Sequence, residues 1–390
     1  MIARRHQVAL AVTALLAGCA ACQEQLRERQ QVPSALGAVQ APGGPTAVGA
    51  FTLLASGAVA PDGSVLDRAG FDAGGAGHDF RPMLQGARSV VSRADLALCH
   101  LDTVDGAHGP DGGGPPRQSP PELARDLAAT GYDGCATASG HTLDDGADGV
   151  RRTLDGLDRA GVRHAGSART EAEARGVTLL RAGRARVAHL AYSQGSNGRF
   201  PPGRPWAVNL IDADRIVADA RAARRAGADV VVVSLYWGPQ WRDTPDEAQL
   251  DLARRLTAAR TGGRPDIDVV VGTGAHVPQP YEKVNGTWVV YGTGDQIPGR
   301  GADDGHGARE PRAGQSTLAR FTFTPPARPG GRWEATRAEF VPELFDLDAG
   351  RVVDLDDAIA RGADLEGVRD RISAAVLARG AARDGLVMGR

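Results

Sequence analysis

The sequence predicts an α/β fold, and three observations carry that prediction. Short apolar runs alternate with segments of helical periodicity through the middle of the chain. Residues 230–233 are four consecutive valines, as expected of a strand covered on both faces. The periodic segments carry helix punctuation: 122–131, 147–161 and 212–227 end on Gly, and 212–227 and 246–261 open on Asp. In order, FTLLASG (51–57) and DLALCHL (95–101) read as strands, ELARDLAATG (122–131) as a helix ending at Gly131, and DGCATASG (133–140) as a strand. The helix ADGVRRTLDGLDRAG (147–161) and the strand RVAHLAYS (186–193) follow. The helix 212–227 starts at Asp212 or Asp214 and ends at Gly227. A strand at 229–238, a helix at 246–261 and a strand at 266–276 complete the alternation. Beyond 280 the texture is β: Asn285-Gly286 marks a hairpin, and 316–325 and 333–342 read as strands. The tail from 346 carries a helical stretch at 365–380 and reads as a helical extension, residues 346–390, packed on a body of residues 51–345.

The N-terminus reads as an address. Arg4 and Arg5 precede an apolar run from Val8 to Ala17, too short to cross a bilayer as a helix. The run closes on Leu16-Ala17-Gly18-Cys19, which resembles the bacterial lipobox. Residues 1–19 are therefore expected to be a lipoprotein signal, with Cys19 carrying the lipid. Export to the outer face of the cytoplasmic membrane follows. Residues 20–50, rich in Gln, Pro, Gly and Ala, are expected to be a flexible stalk. Of the four cysteines, Cys19 and Cys22 lie at the anchor; Cys99 and Cys135 each fall near a strand end and either pair or remain buried thiols.

Composition marks no nucleic-acid partner: 45 basic residues face 47 acidic ones, for a net charge of −2. Lys283 is the single lysine, and the Ala-, Gly-, Asp- and Arg-rich usage looks like coding bias, so abundance of Arg carries no conclusion.

In α/β sheets, ligands sit beyond the carboxyl ends of the strands. The residues leaving these strands are Gly57-Ala58, His100-Leu101-Asp102, Ser139-Gly140-His141, Tyr236-Trp237-Gly238 and Gly272 to His276. His and Asp at three strand ends suggest one polar site. Asp144 and Asp145 either orient His141 or, as is commoner for this placement, cap the next helix. Trp237 and Trp241, with Tyr236, form an aromatic wall or pack beneath the loop; Asp295 is a further pocket candidate.

At these residues the chain resembles the CapA family, named for the poly-γ-glutamate capsule protein. The likeness runs from about Phe51 to Pro298 through SGA (56–58), ADLALCHLDT (94–103), ATASGHTLDDG (136–146), TLDGLDRAGVRHAGSA (153–168), VSLYWGPQW (233–241) and GTGAHVPQPYEKVNGTWVVYGTGD (272–295). It implies a calcineurin-like metallophosphoesterase-type body, a two-sheet core flanked by helices (an αββα sandwich). It also implies a role with poly-γ-glutamate or another envelope polymer and its membrane-embedded synthesis proteins. This chain departs from the family pattern. Ala58 stands where Asp is expected, Gly140 for Asn, Tyr236 for His, Gln240 for Glu, Gly274 for His, and Asp102 for Glu. The ligand set implied by the family survives as Asp102, His141 and His276, with His100 a candidate proton shuttle. Two crowded divalent cations need anionic ligands. Ala58, Gly140 and Gly274 supply none, so the pocket, lined also by Trp237, Gln240 and Asp295, is expected to be non-catalytic or altered. The alternatives are a hydrolase or transferase holding one Mn, Fe or Zn on the reduced set, and a tethered scaffold.

Overall fold

The computed structural model describes residues 49–106, 118–198, 200–299, 310–328 and 331–390. Cys19, the expected lipid site, and all of the expected stalk but Gly49 and Ala50 lie outside these residues. Two sheets face each other. The first runs, in spatial order, through strands Arg351–Asp354, Glu334–Asp346, Gln315–Thr324, Phe51–Val59, Leu96–Leu101, Gly134–Ala136 and Arg163–Ala165, with Asp295–Ile297 and Leu386–Met388 added beside it. The second runs through Tyr281–Val284, Thr287–Val290, Val269–Thr273, Val230–Tyr236, Ala185–Ser193 and Thr178–Ala182.

Alternation decides which side chains enter which layer. In the strand Phe51–Val59, Phe51, Leu53 and Ala55 point between the sheets, where they meet Val187, Val230, Val232, Val269 and Val271. Leu54 and Val59 point to the outside of the first sheet, beneath helices Gln85–Val91, Glu122–Thr130 and Gly146–Ala160. Val231, Val233 and Val270 face the opposite outer layer, helices Ala213–Arg225 and Glu247–Ala258. The valine run is thus buried on both faces, and the layers are α-β-β-α, as the resemblance implied. Asp212 caps the helix that follows it, accepting from the Arg215 N–H at 2.8 Å. Asp246 and Gln249 form a capping box.

The C-terminal segment is more than a helical extension. Arg351–Asp354 and Leu386–Met388 both join the first sheet against Glu334–Asp346. Ile372 and Val376 of the helix Glu366–Leu377 close the edge of the inter-sheet core. The helices Ser64–Asp72 and Gln85–Val91, nine and seven residues long, were not expected from the sequence.

A disulfide joins Cys99 to Cys135, directly opposite each other on adjacent parallel strands and buried under the helices of the first sheet. It closes a loop across a separation of 36 residues. Replacing both by Ala should therefore lower unfolding stability by about 3–4 kcal/mol. A urea titration under non-reducing conditions checks this, and an unchanged midpoint would argue against the bridge.

Candidate functional site

The strand Phe51–Val59 is flanked by two parallel neighbours, and Ala58 stands in register with His100 on one side and Asp295 on the other. These three residues face the second sheet. A bulge at Ser56-Gly57 brings the chain into this register. Glycine is required there: a Cβ on Gly57 would lie 2.6 Å from the Gly294 carbonyl oxygen. From the second sheet come Tyr236 and Thr273, each the last residue of its strand, and His276 from the loop beyond.

His100 is locked. Its Nε2 donates to the Ala138 carbonyl at 3.2 Å, which can only accept, so Nδ1 accepts from the Thr273 hydroxyl at 2.9 Å. The ring is 3% exposed, and burial pulls its pKa down to about 4. It is neutral at pH 7, with both nitrogens occupied. This arrangement does not favour the expected proton shuttle. His276 Nδ1 donates to the Asp295 carboxylate at 2.9 and 3.1 Å, and the pair is buried. His141 Nδ1 donates to Asp144 at 2.6 Å, while Asn197 donates to its Nε2 at 3.4 Å. Asp144 thus orients the imidazole instead of capping. Asp145 stands at the helix N-cap position without a side-chain cap and pairs with Arg152.

Tyr236 fills the middle. Its hydroxyl donates to Asp102 at 3.5 Å, and its ring lies 5.8 Å from His100 and 6.4 Å from His276. A Cβ on Gly140 would sit 3.2 Å from the Tyr236 hydroxyl, and one on Gly274 would sit 3.3 Å from its ring. The departures at 140 and 236 are therefore one exchange, the phenol occupying the space that Gly140 leaves, while Gly274 (φ 94°) is closed to a side chain by the Trp237 backbone at 3.1 Å as well as by the Tyr236 ring. Gly140→Asn alone should destabilise the fold by about 1–3 kcal/mol through overpacking. Combined with Tyr236→His, it should cost at least 1 kcal/mol less than the sum of the single changes, by ~1–2 kcal/mol of coupling. Thermal unfolding of the four proteins checks this, and strict additivity would remove Tyr236 from contact with Gly140.

Two residues outside glycine adopt a left-handed backbone at the pocket mouth, Trp241 (φ 61°) and His276 (φ 62°). The Trp241 N–H donates to the Ala275 carbonyl at 2.8 Å, and its ring lies 5.2 Å from that of His276. Arg312 holds the Trp241 carbonyl at 2.7 Å. The aromatic wall is thus Tyr236 and Trp241. Trp237 packs beneath, stacked 5.9 Å from Tyr291 with its indole N–H on the Tyr291 carbonyl, and Gln240 is exposed.

The donor set does not fit a two-metal centre. Ala58, Gly140 and Gly274 carry no donor atom, and His100, His141 and His276 are turned to protein partners. Among the described residues no group of three or more His, Cys, Asp and Glu is placed to hold one ion. Asp102, His141 and His276 are not gathered into a shared ligand set.

What fold and site define is a two-sheet α/β domain with a buried His–Asp pocket at its strand ends. The sequence matches the family described as bacterial capsule synthesis protein PGA_cap over residues 52–300, more than half of the chain, and the chain belongs to that family. The resemblance to CapA proteins is borne out. A probable polyglutamine synthesis accessory protein of Mycobacterium tuberculosis is 28% identical over 249 residues, 60% of this chain and 62% of that protein. The match thus spans less than two thirds of that relative. The PGA biosynthesis protein CapA of Bacillus subtilis is 25% identical over 162 residues, 41% of each chain. Among solved structures, a calcineurin-like phosphoesterase from Bacillus subtilis gives a TM-score of 0.45 at 12% identity, covering 83% of this chain and 97% of that one. A 5'-nucleotidase precursor from Thermus thermophilus gives 0.44 at 16%, covering 82% and 59%. Such scores say nothing of activity.

Proposed function

We propose that this protein is a lipid-anchored accessory of envelope-polymer assembly, acting on poly-γ-glutamate or a similar polyanion without two-metal hydrolysis. The family supplies the capsule association. The observation that carries the non-hydrolytic part is Tyr236, which occupies the centre of the pocket against Gly140 and Gly274. The lipobox-like segment ending at Cys19 and the Cys99–Cys135 bridge both suit an exported protein. On this reading the domain positions polymer or its membrane-embedded synthesis proteins at the outer face of the membrane.

The test is complementation. A strain lacking the gene should lose surface-associated polymer. A chain carrying Asp102→Asn and His276→Gln, secreted at the normal level, should restore it as the unaltered chain does. Restoration by the unaltered chain alone would place chemistry in the pocket and overturn the reading. Labelled palmitate incorporated by the unaltered chain and lost in Cys19→Ser tests the anchor.

A further inference from the structure

We propose that the tip of the hairpin formed by Thr178–Ala182 and Ala185–Ser193 is a docking surface for anionic phospholipid headgroups. The inference rests on the proposed anchorage through Cys19 and adds a second contact with the same membrane.

Three arginines, Arg181, Arg184 and Arg186, occupy six residues at this tip, and all are exposed. Arg181 and Arg186 are directly opposed across the antiparallel pair. Like charges at such a position repel. Among the described residues none of the three guanidinium groups has a carboxylate partner. Arg184 lies 5.7 Å over the Trp333 ring. The Asp229 carboxylate, which accepts from the Arg186 backbone N–H at 2.8 Å, offsets part of this repulsion, and an external anion would relieve the rest.

Position identifies that anion. The polypeptide enters the domain beside this tip: a Cβ on Gly49 would lie 3.1 Å from Arg184 Nε. Two residues on, the Phe51 ring packs 5.3 Å from Trp333, the residue beneath Arg184. From Phe51 the strand runs away from the tip to Ala58 in the pocket, roughly 23 Å at about 3.3 Å per residue. Cys19 and Gly49 lie 30 residues apart in the sequence, a length that spans roughly 30 Å at random-coil dimensions. A lipid on Cys19 would thus hold the arginine tip within reach of the headgroups, with the pocket at the far end of the strand. A lipid chain with a basic cluster is a recognised two-part membrane contact.

The experiment uses the full chain carrying Cys19→Ser, so that no acyl group contributes. It should sediment with vesicles of phosphatidylcholine and phosphatidylglycerol, and not with phosphatidylcholine alone. Arg181→Gln, Arg184→Gln and Arg186→Gln together should lower partitioning roughly a hundredfold, at about 1 kcal/mol per arginine. Added salt should lower it likewise. Because all three side chains are exposed, an unchanged melting temperature confirms that the variant folds. Equal partitioning of the two proteins would overturn the proposal. So would a triple variant that loses binding to soluble polyglutamate while keeping its affinity for the vesicles. Palmitate labelling separates the two readings: no label on the unaltered chain with vesicle binding intact would remove the anchor and leave the docking surface.

Discussion

Acidification from pH 6.5 to pH 4 should destabilise this protein by several kcal/mol, and two buried imidazoles should account for most of it. His100 and His189 are each almost inaccessible, at 3% and 1% exposure. Burial holds His100 down to about 4 and His189 down to about 3, the latter also repelled by His100. A folded-state pKa below the unfolded value stabilises the native state above about pH 6.5, and that contribution is lost as pH falls through the folded value. At about 1.4 kcal/mol per pKa unit, His100 contributes on the order of 3–4 kcal/mol and His189 on the order of 5 kcal/mol. His189 bonds Ser234 through Nε2 at 2.9 Å, and its Nδ1 has no partner among the described residues. His189→Gln should flatten the acid limb of a plot of unfolding free energy against pH and change little at pH 8. An unaltered acid limb in both His189→Gln and His100→Gln would show that neither imidazole is buried as described.

The alkaline limb should belong to Glu343. Its carboxyl is 1% exposed on the strand Glu334–Asp346, and Gln296 Nε2 donates to one of its oxygens at 2.9 Å. Gln296 accepts in turn from the Tyr132 hydroxyl at 2.6 Å. The second Glu343 oxygen has no hydrogen-bond partner among the described residues, nor has the Ser316 hydroxyl directly opposite on the neighbouring strand. Burial pushes Glu343 up to about 8. Here the folded value exceeds the unfolded one, so stability is fully present below about pH 4.5 and is lost as pH rises through 8. The loss is on the order of 5 kcal/mol. Glu343→Gln should match the unaltered protein near pH 4.5 and exceed it by about 3–5 kcal/mol at pH 9. Parallel curves for the two proteins across this range would refute a buried neutral carboxyl.

Much of the fold was legible because local signals agreed with it. Val230 to Val233 announced a strand buried on both faces, Asn285-Gly286 a hairpin, and Gly131 and Gly161 the ends of two helices, where both are left-handed. The position of the site was legible too, since the ends of parallel strands were the place to look. Its interior was not. That Ala58 lies between His100 and Asp295 depends on register between strands distant in sequence and on a bulge at Gly57. That Tyr236 backs onto both Gly140 and Gly274 depends on how two sheets pack, which periodicity does not encode. Read singly, the substitutions at 140 and 236 are losses; read together, they are a refilled pocket. Gln240 was misplaced because a turn after Gly238 (φ 82°) redirects the chain, whereas Trp237 takes the second of its two readings and packs beneath the loop. The orienting role of Asp144 was one of the two readings open in the sequence, since the His-x-x-Asp spacing lets the carboxylate reach back to the ring. The strands Arg351–Asp354 and Leu386–Met388 are short and offer little alternation to read.

The central claim is that protein atoms engage the three histidines of this pocket where a two-metal centre would need them free. It is tested most directly by metal analysis of the full chain purified without chelators, followed by titration with Mn²⁺. The account predicts no stoichiometric Mn, Fe or Zn and no saturable heat of Mn²⁺ binding. Close to one metal ion per chain, lost when His141 and His276 are replaced together, would contradict it.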